Sequence, residues 1–111
     1  MMDFLKLENI GEVIAERVLK RPVDGGEPQD VVVRLGRPQP DMDHDAYFCP
    51  FEILGIGPRK VRCAFGVDAF QSLQLVLRMI SVELHCSRRD AAPGMYFLEP
   101  GDDLGFPEEA D

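Results

Sequence analysis

The chain predicts an α+β fold: a four- or five-stranded, mainly antiparallel sheet with one long helix packed on one face, in the order β-β-β-β-α-β. Three observations lead there. From Gly66 to Cys86 the apolar residues recur at helical spacing over a length that no other segment matches. Before it come runs rich in β-branched and aromatic residues, at 12–21, 30–37, 47–56 and 59–65. The turn formers Asp24-Gly25-Gly26, Pro38-Gln39-Pro40 and Gly57-Pro58 separate those runs.

The helix is the best-defined element. Asp68 is placed as its N-cap and Gln71 follows three residues later, which approximates a capping box, while Gly66 gives the chain freedom to turn out of the preceding strand. At about 100° per residue, Phe70, Leu73, Val76, Leu77, Ile80 and Leu84 share a core face. Gln71, Gln74, Arg78, Ser81, His85 and Arg88 line the opposite one. Burying each large apolar side chain contributes about 1.5 to 3 kcal/mol and the cap about 1 kcal/mol, so packing fixes the helix. A second apolar stripe, Leu75, Met79, Val82 and Cys86, needs its own cover. The chain's own C-terminal loop can supply it, or a second subunit in a homodimer, or a partner. Leu75, Met79 and Val82 are therefore the candidate partner-binding residues.

Glu12 to Arg21 is ambiguous. Asn9 and Glu12 offer a helix cap with Ile10, Val13, Ile14 and Val18 on one side, but Gly11 and the run into Pro22 favour a strand. Asp30 to Arg37 is a strand with Val31, Val33 and Leu35 toward the core, stopped by Pro38-Gln39-Pro40. Tyr47 to Ile56 alternates Tyr47, Cys49, Phe51 and Ile53 with Phe48, Pro50, Glu52 and Leu54, and the interior Pro50 favours an edge or a bulge. Arg59 to Phe65 completes a hairpin, with Val61, Cys63 and Phe65 inward. Beyond the helix, Met95 to Leu98 reads as a short strand. Leu104 and Phe106 anchor an acidic tail whose last residues, 108–111, fray.

The length suits one domain, 1–111. Twenty acidic against twelve basic residues give a formal charge of −8, which argues against nucleic acid or an anionic membrane as partner and makes any charged protein partner basic. Three cysteines without a Cys-x-x-Cys spacing suit a reducing cytoplasm, and no apolar run approaches a membrane span of roughly 18 residues.

Asp41, Asp43, His44 and Asp45 form the one local cluster with metal-ligand chemistry, although an EF-hand loop needs a central glycine and a glutamate at its twelfth position. A solvated acidic loop is the favoured reading. Cys49, Cys63, His85 and Cys86 match no zinc module, and Cys49 and Cys63 read as small core residues. Arg34, Arg37, Arg59, Lys60 and Arg62 read as cross-strand partners of Glu12, Glu16 and Glu52. Nothing points to a cofactor, and no catalytic constellation stands out.

Arg34-Leu35-Gly36-Arg37-Pro38, Cys49-Pro50-Phe51, the Gly66-x-Asp68-x-x-Gln71-x-Leu73 helix start and Leu104-Gly105-Phe106-Pro107 resemble a small bacterial family of uncharacterised domains. The resemblance implies one compact bacterial domain and brings no reaction with it. The expected function is a non-enzymatic, cytoplasmic protein-interaction domain, in the manner of an inhibitor or immunity protein. The rival is a metal-binding domain or metal-dependent enzyme using Asp41 to Asp45. A ligand pocket between helix and sheet comes third.

Overall fold

The computed structural model describes residues 10–107, so the tail at 108–111 lies outside the described residues. Five strands precede one helix: β1 (Val13–Arg21), β2 (Gln29–Gly36), β3 (Gln39–Asp41), β4 (Ala46–Leu54), β5 (Lys60–Gly66) and α1 (Ala69–Arg89). All pairings are antiparallel. β4 is central: β5 runs along one edge, while β2 and β3 share the other in succession, and β1 lies outside β2.

The ambiguous first element is a strand, paired with β2 from Val13↔Gly36 to Arg21↔Gln29 with a bulge between Val13 and Ala15. Two features depart from the expected chain order. The chain resumes pairing after Pro38, with Gln39, Pro40 and Asp41 opposite Phe48, Tyr47 and Ala46, because Pro40 lies where its missing N–H removes no required ladder bond. The strand expected at 95–98 shrinks to one bridge, in which Lys20 and Tyr96 exchange hydrogen bonds of 2.8 and 2.9 Å.

The register assigns faces. Val31, Val33, Leu35, Cys49, Phe51 and Ala64 share the inner, helix-bearing side of the sheet with Leu19, and all are buried. In β5 the expected phase is reversed. Ala64 pairs with Cys49 and enters the core, which turns Val61, Cys63 and Phe65 to the outer face. Small residues on the inner side let α1 come close. A Cβ on Gly66 would lie 2.4 Å from the Ser72 amide nitrogen, so steric room rather than turning freedom requires glycine there.

The cap is as expected: Asp68 accepts from the Gln71 N–H at 2.8 Å, and Gln71 Oε1 accepts from the Val67 N–H at 2.8 Å. The buried line is Ser72, Val76, Ile80, Ser81 and Leu84, with Leu73 and Leu77 half-buried beside it. Phe70, expected in the core, is 78% exposed, and Ser81, expected on the polar face, is buried. The close approach through small residues rotates the helix away from the centroid of its largest side chains. α1 packs on β4 and β5. The inner face of β1 and β2 is covered instead by the chain beyond the helix, through Ala92, Met95 and Leu104, all buried, and Phe97 and Phe106, half-buried.

Candidate functional site

An antiparallel sheet with one wet face ordinarily carries polar side chains there. Here the outer face carries rows of apolar ones. Val18, Val32 and Leu54 lie side by side across β1, β2 and β4. On β5 and the facing half of β4 come Val61, Cys63, Phe65 and Phe48, with the two rings 6.2 Å apart. Among the described residues no helix or strand packs across this face. Ile10 reaches it, buried against Gly36 and Pro50: a Cβ on Gly36 would meet the Ile10 carbonyl at 2.6 Å and the Pro50 ring at 2.8 Å.

A charged row crosses the apolar ones. Glu16, Arg34 and Glu52 are direct cross-strand neighbours. Arg34 donates to Glu16 at 2.7 Å and lies 3.7 Å from Glu52, which also accepts from Arg59 Nε at 2.8 Å. The expected pairing of these arginines with Glu16 and Glu52 is therefore present, as is Arg37 with Glu12 at 3.3 Å. The Glu52 side chain is only 6% exposed, because the arginine stems lie over it. Arg62 departs from that group: it faces the helix and pairs with Glu83. Hydrogen bonding within the row holds the Arg34 guanidinium pKa above its ordinary value, Glu16 being the chief cause.

The second stripe of α1 does not act as a unit. Met79 turns partly into the core, while Leu75 and Val82 are 37% and 46% exposed and Cys86 is exposed. Leu104 and Phe106 do anchor the tail, but on the core and on Arg17 rather than over Val82.

Asp41, Asp43, His44 and Asp45 form the β3–β4 turn. Asp41 Oδ1 accepts from the Asp43 N–H at 3.2 Å, and Asp41 Oδ2 lies 2.8 Å from His44 Nδ1. Asp45 takes a left-handed conformation at φ 49°. Both oxygens of the best-placed carboxylate thus serve the turn, and no group of three or more His, Cys, Asp or Glu side chains among the described residues gathers as a metal site. Cys49 and Cys63 lie on opposite faces of the sheet, not together inside, because they occupy successive ladder positions of opposite phase. Burial pushes both thiols up to about 11.

A groove that sequence reasoning did not locate lies on the inner side. Between the helix and the covering tail a cavity of about 290 Å³ is lined by Ala15, Glu16 and Arg17 of β1, Val33 and Leu35 of β2, Leu77 and Ile80 of α1, and Gly105, Phe106 and Pro107, the Glu16 carboxylate being already paired with Arg34. Arg17 Nη1 donates to the Gly105 carbonyl at 2.7 Å and to the Leu104 carbonyl at 3.3 Å. The guanidinium carbon lies 4.4 Å from the Phe97 ring centre and 4.7 Å from that of Phe106. Nothing in the β1 sequence around Arg17 hints at this; the contact comes from residues nearly 90 positions away.

A family model described as a domain of unknown function, DUF6968, matches residues 15–108. No curated protein matches the chain. No solved structure matches it either.

Proposed function

We propose, for a chain that belongs to the DUF6968 family of domains of unknown function, a non-enzymatic protein-binding role carried by the outer face of the sheet. One observation carries the reading: Val18, Val32, Leu54, Val61, Cys63 and Phe65 present apolar surface on the side where a two-layer domain normally meets water. The Glu16–Arg34–Glu52–Arg59 row at its centre is internally neutralised, so docking against it leaves no unpaired charge buried. The net charge of −8 favours a basic protein as the partner through long-range steering. The cytoplasm of a bacterium is the setting that three free thiols and the family resemblance support. The helix residues Leu75, Met79 and Val82 lie on the opposite side of the sheet and form at most a secondary surface. A metal role for Asp41 to Asp45 has less behind it, since Asp41 is committed to its turn.

The test is partner capture from the native host followed by reconstitution with the purified partner. Val18→Glu and Val61→Glu are expected to weaken binding at least tenfold, while Val82→Glu leaves it unchanged. The opposite pattern would move the site to the helix.

A further inference from the structure

We infer that the groove beside Arg17 is a binding site for a small amphipathic carboxylate, its apolar body seated among Val33, Leu35, Leu77 and Ile80 and its carboxylate on the Arg17 guanidinium. This site is separate from the outer sheet face and does not rest on the protein-binding reading.

The shape of the fold produces the groove. α1 packs over β4 and β5, so the inner face of β1 and β2 depends on irregular chain for its cover. Ala15, opposite Leu35, is too small to fill the gap that remains between β1 and the helix. An apolar cavity of about 150 Å³ already admits benzene. At about 290 Å³ the groove has room for a ring with a short side chain, or for a short aliphatic chain.

Arg17 makes the choice of a carboxylate specific. Its guanidinium carbon lies over the Phe97 and Phe106 rings, and among the described residues its hydrogen bonds leave from Nη1. Among the described residues the guanidinium meets carbonyls and rings but no carboxylate, in a chain that carries a net charge of −8. With no hydrogen bond from Nη2 or Nε among the described residues, these two donors are left for an acceptor in the guanidinium plane, the geometry in which arginine binds a carboxylate with two parallel bonds. The rings fix the orientation in advance, so little side-chain freedom remains to be lost on binding. Phosphate alone or a simple inorganic anion would leave the apolar walls unused. A neutral apolar molecule would leave the cation unanswered.

The probes are phenylacetate and hexanoate, with phenylacetamide and hexanol as neutral counterparts of matched shape, titrated into the isotope-labelled protein and followed by amide and methyl NMR. The acids are expected to shift Leu77, Ile80, Val33 and Phe106 in a saturable manner and to bind at least tenfold more tightly than the neutral molecules. Ala15→Leu, which fills the groove without touching Arg17, is expected to abolish those shifts while leaving the rest of the spectrum in place. Arg17→Lys keeps the charge but loses the paired geometry, and is expected to bring acid affinity down toward that of the neutral compounds. Equal binding of acids and neutral counterparts, an unchanged response in Ala15→Leu, or no saturable shift at millimolar concentrations would each overturn the assignment.

Discussion

Gly105 and Arg17 are fitted to each other. Gly105 sits at φ +84°, its carbonyl accepts from Arg17 Nη1 at 2.7 Å, and a Cβ there would stand 2.5 Å from the same nitrogen. Gly105→Ala therefore combines an unfavourable backbone region with a collision, and should cost about 1 to 3 kcal/mol. Arg17→Ala should also destabilise the protein, by releasing the two carbonyls and both rings. Urea denaturation midpoints check both. A neutral Gly105→Ala would mean that the tail does not lie against Arg17.

Position on the helix sets a second contrast. Ile80→Ala should cost about 2 to 5 kcal/mol through lost burial and a cavity, and Asp68→Ala about 1 kcal/mol through loss of the cap. Phe70→Ala should fall within about 0.5 kcal/mol of wild type, since surface substitutions rarely do more and Phe70 is 78% exposed. Thermal melts of the three variants order them. A costly Phe70→Ala would place the helix in the rotation that sequence periodicity favours.

Alkaline stability follows from the thiols. Burial lifts Cys49 from 9.0 to about 11, with Cys63 nearby adding to it, and burial alone lifts Cys63 to about 11. The unfolded chain thus loses these protons first, and between about pH 9 and pH 11 it binds fewer protons than the native state, so stability falls with rising pH. The contribution is fully present below pH 9. Cys49→Ala with Cys63→Ala should flatten this part of the curve, measured as denaturation midpoints from pH 8 to pH 11 at constant ionic strength. An equal fall in the double variant would assign it to other groups.

The Asp41 turn yields a fourth expectation. Asp41→Ala should destabilise the β3–β4 hairpin by about 1 kcal/mol through loss of its side-chain bond to the Asp43 N–H and its contact with His44. Millimolar calcium, magnesium or zinc should leave the melting temperature of the wild type nearly unchanged, because only a ligand that binds the native state raises it. A rise of several degrees that Asp41→Ala abolishes would promote the metal reading.

Much of the fold is legible along the chain. Val31, Val33 and Leu35 alternate cleanly, and Asp68 with Gln71 marks the helix start, because these signals are local. The phase of β5 is not, since Val61, Cys63 and Phe65 look like an inward set until the hairpin register and the close approach of α1 at Gly66 select Ala64 instead. Two motifs behind the family resemblance acquire plain structural roles. Leu104-Gly105-Phe106-Pro107 holds Arg17 and closes the groove, while Gly36 and Pro50 make room for Ile10. The cross-strand charge row could be anticipated from composition and spacing. Its place between the apolar rows of the outer face could not, because it depends on which face the helix covers.

The most direct measurement is site-specific photo-crosslinking in the native host, with a photoreactive amino acid at Val18 or Phe65 on the sheet face and at Leu75 or Val82 on the helix. The account predicts one discrete protein adduct from the sheet positions and none from the helix positions. Adducts from Leu75 or Val82 alone would contradict it.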